Sequence, residues 1–321
     1  MTTNNNLDRK IPVGISSCLL GNEVRHNGGH KRDSYITGTL AEYFEFTPFC
    51  PEVGIGLGVP RPTIRLIDHG EGIRVVGVKD PELDVTVKLQ AYTEEKIPDV
   101  GELFGFIFKR ASPSCGMERV KVYNKKGMPE NNGQGVFAMG IKQHYPELPT
   151  EEEGRLGDAR LRENFIQRVL IYHYWKQQVE PVISVRRLTE FHGMLKLTLL
   201  SHNQDQSRDL GRLAAAARDE NVEEIAGEYF VQAMQTLTIV ATRKNHVNVL
   251  QHIQGYLKRE LDADDKAELV ETIAAYGAGD VPLVVPLTLL KHFFRKVPDP
   301  YIENSWYMSP YPSQLKLRNL L

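Results

Sequence analysis

Short apolar runs rich in β-branched and aromatic residues recur through the first half of the chain. Three of them are IPVGISS, YFEFTPF and LFGFIFKRASPS, which begin at residues 11, 43 and 103. Each run leads into Ser, Pro or Gly residues, as strands do where they leave a sheet. Helical patterns lie between the runs, for example YITGTLAEYFE over residues 35–45. Alternating strands and helices predict an α/β domain with a Rossmann-like parallel sheet.

The second half of the chain has helical periodicity instead. The segment LRENFIQRVLIYHYWKQQ repeats apolar residues at the spacing of one helix face, at Leu161, Phe165, Ile166, Val169 and Leu170. Residues 143–160 are rich in Pro, Glu and Gly without an apolar period, so they are the best linker candidate. We therefore predict two domains, an α/β domain over residues 1–150 and a mainly α-helical domain over residues 156–321.

Composition and charge fit an ordinary globular protein. The 321 residues carry 39 Lys and Arg against 41 Asp and Glu, a formal net charge of -2. This balance argues against bulk attraction to nucleic acid or membrane, although a local basic patch stays possible. The N-terminal MTTNNNLDRK has no apolar stretch, and no apolar run approaches the roughly 20 residues of a membrane span. We expect a cytoplasmic protein without a membrane partner, and its oligomeric state stays open.

The chain has three cysteines, Cys18, Cys50 and Cys115, and each follows one of the predicted strands. An odd number of cysteines in a cytosolic chain does not indicate a disulfide framework. The carboxyl ends of parallel strands meet at the sheet edge where ligands bind, so we expect the three thiols to converge there. Three unrelated buried thiols are the alternative, because free cysteine is often buried.

Three converging thiols are typical of a site for a soft metal, which includes zinc, copper(I) and iron–sulfur clusters. No C-x-x-C pair is present, which disfavours a zinc ribbon. A 4Fe–4S cluster normally takes four cysteines, so three would leave one iron open as a Lewis acid or substrate site. A Cys–His catalytic pair is also possible, but it would need only one of the three.

Polar side chains that could act on a ligand lie near each cysteine. A carboxyl group beside a bound substrate can serve as general acid or base, although Glu52 could equally cap a turn. The serines near Cys115 could be turn residues, and the arginines could be surface ion-pairing partners or could bind a phosphate. The candidates are Glu52, Ser112 and Ser114 for catalysis and Arg25, Asn27, Arg61 and Arg65 for substrate binding.

Three blocks of the first half, SSCLLG with VRHNGGHKR, FCPEVGIGLGVPRPTIRL and RASPSCG, together resemble the thiouracil desulfidase (TudS) family. The resemblance covers about residues 10–150. It implies a 4Fe–4S cluster on Cys18, Cys50 and Cys115 with one iron free, a catalytic glutamate at Glu52, and a catalytic serine near the third cysteine. Ser112 and Ser114 both fit the serine, and we favour Ser112.

Blocks of the second half, among them ENFIQRVLIYHYWK and ATRKNHVNVLQHIQGYLKREL, resemble the YbgA-like domain. The fused architecture is similar to the RudS-type proteins, which are implicated in removing sulfur from 4-thiouridine in tRNA. The resemblance implies a desulfidase that converts 4-thiouridine, in tRNA or as a nucleotide, hydrolytically to uridine and sulfide. An RNA-binding or redox-sensing protein without turnover is the alternative.

Basic and hydrogen-bonding residues of the second half could contact an RNA backbone. Acidic stretches such as DENVEEIAGE and DADDKAE offset their charge, so a solvated helical face is an equally good interpretation. The predicted tRNA-binding residues are Lys196, Arg208, Arg243, Lys244 and His246.

Overall fold

Four parallel strands form the sheet that carries the cysteines. Their order across the sheet is β2-β1-β5-β8, as predicted for a Rossmann-like domain. The central β1 is buried along nearly its whole length, which is typical of a parallel strand covered on both faces. Gly14 lies against the Phe106 ring so closely that an added Cβ would come within 2.3 Å of it. The strands of the chain are β1 (Ile11–Ser16), β2 (Phe44–Phe49), β3 (Ile64–Asp68), β4 (Ile73–Gly77), β5 (Phe106–Phe108), β6 (Val120–Tyr123), β7 (Pro129–Gly133) and β8 (Thr150–Glu152).

A second, smaller sheet has the order β4-β3-β6-β7, with β3 parallel to β6 and the outer pairs antiparallel. Its inner face is apolar, with Leu66, Val75 and Val122 buried together with Leu89 and Val136 from two helices. The helices of this half are α1 (Ser34–Thr37), α2 (Pro51–Gly54), α3 (Thr86–Gly101) and α4 (Val136–His144).

The second half is entirely helical in the part that the structure describes, as predicted. Several helix starts are capped by side chains that accept the free amides of the first turn, including Ser184, Asn203, Thr242 and Asp262. Trp175 stacks on Phe230 at 4.5 Å in the core of the bundle. The helices are α5 (Ala159–Tyr174), α6 (Val185–His202), α7 (Gln204–Ala215), α8 (Val222–Thr238), α9 (Arg243–Gln254), α10 (Ala263–Ala278), α11 (Val284–Lys296) and α12 (Pro300–Glu303).

The computed structural model describes residues 9–310 apart from residue 71. The start of the first predicted domain and the end of the second therefore lie outside the described residues. The chain divides into two compact units at Asp158/Ala159. The first unit thus continues beyond residue 150, where the sequence placed the end of the first domain. Within the described ranges, no helix is long and apolar enough to cross a bilayer.

Two local predictions are wrong. Residues 143–160 are not simply a linker, because they contain β8, which pairs with β5. This strand is polar in sequence yet buried: Glu151 pairs with Arg155, and Glu152 accepts from the amide of Met117. Such buried carboxylates need charged or hydrogen-bonding partners that a hydrophobic pattern cannot show.

The helical pattern over residues 35–45 also differs from the observed structure. The helix α1 ends at Thr37, and a separate 3-10 turn covers Leu40–Glu42. The strand β2 then begins at Phe44, within the predicted helical segment. The intervening Gly38 has a conformation outside the helical region, which interrupts the helix.

Candidate active site

The three cysteines lie at the carboxyl ends of three neighbouring strands of the parallel sheet. Cys18 lies in the 3-10 turn that follows β1, Cys50 precedes the first turn of α2 directly after β2, and Cys115 lies in the loop between β5 and β6. All three line one cavity of about 400 Å³. The parallel topology therefore brings together thiols that are far apart along the chain.

Burial keeps the three thiols protonated in the metal-free chain. It raises the pKa of Cys18 to about 11, although nearby Lys109 acts in the opposite direction. Burial also raises the pKa values of Cys50 and of Cys115, and the Cys115 side chain is the most enclosed of the three. Because a metal binds the thiolate, loading this site would release protons.

Glu52 is held in the same cavity by an almost fully buried arginine. The Nε and Nη2 atoms of Arg61 each lie 2.8 Å from Glu52 Oε2. The remaining Nη1 donates to the carbonyl oxygens of Val24, at 2.8 Å, and Gly58, at 3.1 Å. The Arg61 side chain is only 4% exposed, and that of Glu52 is 16% exposed. Arg61 thus links the loop after Cys18 to the helix that carries Glu52.

Two serines extend the hydrogen bonding of Glu52 towards Cys115. Ser114 Oγ donates to Glu52 Oε1 at 2.7 Å and lies 3.0 Å from Ser112 Oγ. Ser112 Oγ also accepts from the backbone amides of Ser114 and Cys115. Ser114 therefore contacts the carboxylate directly, whereas Ser112 also shapes the loop that presents Cys115.

The start of α4 supports this loop from behind. The amide of Phe137 donates to Ser114 O at 2.9 Å, and the amide of Gly135 donates to Gly116 O at 2.8 Å. A Cβ added at Gly135 would lie 2.5 to 2.7 Å from backbone atoms of Ser114 and Cys115. Only glycine permits this approach of the helix to the cysteine loop.

Sequence reasoning missed a cation of the cavity, Lys109, which directly follows β5. Its ammonium group contacts the Glu153 carboxylate, and its amide donates to Ser16 Oγ at 2.9 Å. Glu153 also accepts from the amide of Arg110 at 2.7 Å. The position of Lys109 one residue beyond a strand, within the KRASPSCG block, was the available signal.

The other predicted residues of the first unit divide into two groups. Arg25 and Arg61 line the cavity, together with Lys31 and Arg110, which were not predicted. Asn27 and Arg65 are absent from the residues that line the cavity. Asn27 accepts from the amide of Gly29 in its own turn, and Arg65 lies on β3 with its guanidinium over the Tyr123 ring.

The predicted tRNA-binding residues of the helical unit differ in their freedom to contact a ligand. Arg208 pairs with Asp205. Arg243 donates to the Tyr276 carbonyl oxygen and lies over its ring, and His246 Nδ1 lies 2.9 Å from Tyr307 Oη. Lys196 and Lys244 are exposed.

The donor set of the cavity suits a group that contains several metal atoms. Among residues 9–70 and 72–310, no three His, Cys, Asp or Glu side chains are arranged to hold a single metal ion. In an iron–sulfur cluster each cysteine binds a different iron, so the thiols need not converge on one point. Three thiols that line one cavity are soft ligands of the kind that an iron–sulfur cluster takes.

Comparisons with known proteins match the two halves separately. The family model described as 2-thiouracil desulfurase matches residues 13–153. The model of a family of unknown function, DUF1722, matches residues 196–312. The uncharacterized protein YbgA of Escherichia coli (strain K12) is 27% identical over 161 residues, which are 50% of this chain and 95% of YbgA. A solved structure described as a 4Fe-4S-dependent thiouracil desulfidase, TudS, is 29% identical and covers 46% of this chain and 94% of its own, with a TM-score of 0.38.

Proposed function

This chain joins a domain of the 2-thiouracil desulfurase type to a YbgA-like domain, and we propose on that basis that it removes sulfur from a thiolated pyrimidine. The proposed substrate is 4-thiouridine, in tRNA or as a nucleotide, and the products are uridine and sulfide. The observation that carries the proposal is the single cavity that holds three cysteines beside the Arg61–Glu52–Ser114 network.

We propose a 4Fe–4S cluster as the cofactor, held by Cys18, Cys50 and Cys115. When bound, such a cluster with one iron free supplies Lewis-acid activation of the thiocarbonyl group. Cys115 is buried and Cys18 and Cys50 are half-buried, so this activation would be stronger there than in bulk water.

The reaction itself requires water and no electrons. Glu52 Oε1 removes a proton from a water molecule, whose oxygen attacks the carbon that carries the sulfur. A C–O bond forms, the C–S bond breaks, and sulfur leaves as hydrogen sulfide. The hydrogen-bonded chain from Glu52 through Ser114 to Ser112 passes this proton to the sulfur. The second proton of hydrogen sulfide comes from the added hydroxyl group, which becomes the carbonyl oxygen as the C–S bond breaks. This geometry favours Ser114 as the catalytic serine, in contrast to the preference for Ser112 from sequence.

The cations at the cavity wall have separate roles. Arg61 positions Glu52 and makes four contacts within the chain, so we assign it no substrate contact. Arg25, Lys31 and Arg110 line the cavity without an ion pair among the described residues, and we propose that they bind a substrate phosphate. Lys196 and Lys244 of the helical unit are proposed as contacts to the tRNA backbone.

The function is tested by anaerobic reconstitution with iron and sulfide, followed by parallel assays of sulfide release from thiolated tRNA and from 4-thio-UMP. We expect turnover by the wild type and loss of bound iron in Cys18→Ser, Cys50→Ser and Cys115→Ser. Glu52→Gln should retain iron while its kcat falls by about 10²–10⁴-fold, the usual contribution of a general base. A reconstituted chain that binds tRNA but releases no sulfide would instead be an RNA-binding protein without turnover.

A further inference from the structure

The small sheet of the first unit has one apolar face and one basic face. Leu66 and Val122 are paired in the register and point to the apolar core, so the residues before them, Arg65 and Lys121, lie side by side on the other face. Ile67 pairs with Tyr123 in the next row of this outer face. Two cations therefore occupy neighbouring positions on adjacent strands.

The charges of Arg65 and Lys121 are not neutralised within the described residues. Neither side chain is in an ion pair there, and Arg65 Nε is shielded from solvent without a hydrogen-bond acceptor. Two acidic side chains of the same sheet are engaged elsewhere, since Asp68 accepts from the Gly70 amide and Glu130 accepts from Asn132. Asp84, which follows the sheet strand β4 in the chain, pairs with Arg74. Adjacent like charges repel each other, so an anion beside the two cations would stabilise this face.

An aromatic ring and a lysine-bearing turn extend the same face. The Arg65 guanidinium lies 5.0 Å from the centroid of the Tyr123 ring. The turn after β6 exposes Lys125 and Lys126, and it is fixed by Asn124 Oδ1, which accepts from the amides of Lys126 and Met128. We refer to Arg65, Lys121, Tyr123, Lys125 and Lys126 together as the basic sheet face. Cations combined with an aromatic ring are the usual elements of a nucleic-acid surface.

The basic sheet face begins beside the cysteine cavity. Thr63 and Ile64 line that cavity, and Arg65 is the next residue along β3. We propose that the basic sheet face binds the phosphate backbone of an RNA whose thiolated base enters the cavity, so that RNA recognition is built into the first unit. The proposal rests on the proposed function for its substrate. RNA fits better than an acidic protein because the cations adjoin both an aromatic ring and a cavity assigned to a nucleobase.

The test measures binding of unmodified tRNA to the full chain by fluorescence anisotropy across a salt series, with Arg65→Gln/Lys121→Gln compared with the wild type. Each phosphate contact contributes about 0.9 to the slope of log K plotted against log salt concentration. One contact therefore makes the affinity at 0.1 M salt about eightfold higher, relative to that at 1 M salt. Loss of two contacts should lower the slope by about 1.8. The ratio of the affinity at 0.1 M salt to the affinity at 1 M salt should therefore fall by about 60-fold. No turnover enters this measurement, so failure of the desulfidase assay would leave its result intact.

Lys10→Gln/Lys88→Gln is the matched control. It removes the same charge from exposed residues elsewhere on the first unit, one of them on the helix α3 that covers the apolar face. Its slope should equal that of the wild type. If the double variant fails to fold, Lys121→Gln alone at an exposed position should lower the slope by about 0.9.

Tyr123 separates RNA binding from general attraction of anions. Tyr123→Phe keeps the ring and should retain affinity, whereas Tyr123→Leu should weaken binding by about tenfold, within the usual range for loss of one stacked base. An unchanged salt slope in the sheet variants would overturn the proposal. Polyglutamate that competes for the chain as well as an oligonucleotide of equal charge would also overturn it.

Discussion

Replacement of Arg61 by alanine removes a buried charge and leaves its carboxylate partner behind. The side chain is 4% exposed and makes two contacts to Glu52 Oε2 and two to backbone carbonyl oxygens. Removal of one member of a buried ion pair typically costs about 3–5 kcal/mol, because the other charge remains buried without compensation. For a unit of this size, such a loss corresponds to a fall of about 6–20 °C in the midpoint of thermal unfolding.

The chain contains its own reporters for each unit. All three cysteines lie in the first unit, and both tryptophans, Trp175 and Trp306, lie in the helical unit. Pulsed labelling of Cys115, which is 6% exposed in the folded state, therefore follows unfolding of the first unit in urea. Tryptophan fluorescence in the same samples follows the helical unit. Arg61→Ala should shift the labelling transition and leave the fluorescence transition in place.

Arg74→Ala provides the matched control, because it removes an arginine from another ion pair of the first unit. Arg74 pairs with Asp84, and these side chains are 58% and 23% exposed. Such a solvent-exposed pair contributes about 0–1 kcal/mol. Arg61→Lys keeps the charge but loses the planar fork, so its stability should lie between those of the wild type and Arg61→Ala. A loss in Arg61→Ala no greater than in Arg74→Ala would refute the assignment of Arg61 as the support of Glu52.

Three further outcomes follow from the contacts of the site and the bundle. Ser114→Ala should lower kcat by about 10–100-fold, the value of a hydrogen bond to a charged group, and it should lower kcat more than Ser112→Ala does. Gly135→Ala should destabilise the first unit by about 1–3 kcal/mol and speed labelling of Cys115, because the added Cβ overlaps the cysteine loop. Burial lowers the pKa of His192 to about 4 from 6.5, so its contribution to stability is full above pH 6.5 and is lost as the pH falls towards 4. Tryptophan fluorescence in urea should show a loss of about 1–2 kcal/mol for the helical unit between pH 7.5 and pH 5, which His192→Gln should reduce.

A control variant or a contrary result tests each of these three outcomes. Gly193→Ala adds a Cβ in open space on α6 and should leave labelling of Cys115 unchanged. Equal kcat in Ser114→Ala and the wild type would exclude Ser114 from the reaction. A pH dependence that persists in full in His192→Gln would assign it to another group.

The sequence could predict the cysteine site because its determinants are local. Each cysteine follows a short apolar run, and β1, β2 and β5 coincide with those runs. Parallel pairing then places the strand ends at one edge of the sheet, whatever the distance along the chain. The helical second half was equally clear, because apolar residues repeat at helical spacing throughout it.

Residues whose roles depend on partners distant in sequence were not predictable. Arg61 was predicted from sequence to bind substrate, but its guanidinium contacts Glu52 and the Val24 carbonyl oxygen. Lys109 was missed because its partner Glu153 directly follows β8, a strand whose acidic sequence suggested a linker. Arg65 follows Ile64, a residue of the cavity, but strand alternation turns it to the outer face.

The positions of the three cysteines along the chain determine when all three thiols are present during synthesis. Cys18 and Cys50 leave the ribosome well before Cys115, and β8 with the following Glu153 comes later still. A nascent chain therefore carries Cys18 and Cys50 without the third thiol while residues 51–114 are translated. For the proposed cluster, iron would have to be delivered after residue 115 is synthesised, and earlier oxidation of Cys18 and Cys50 would compete with that delivery.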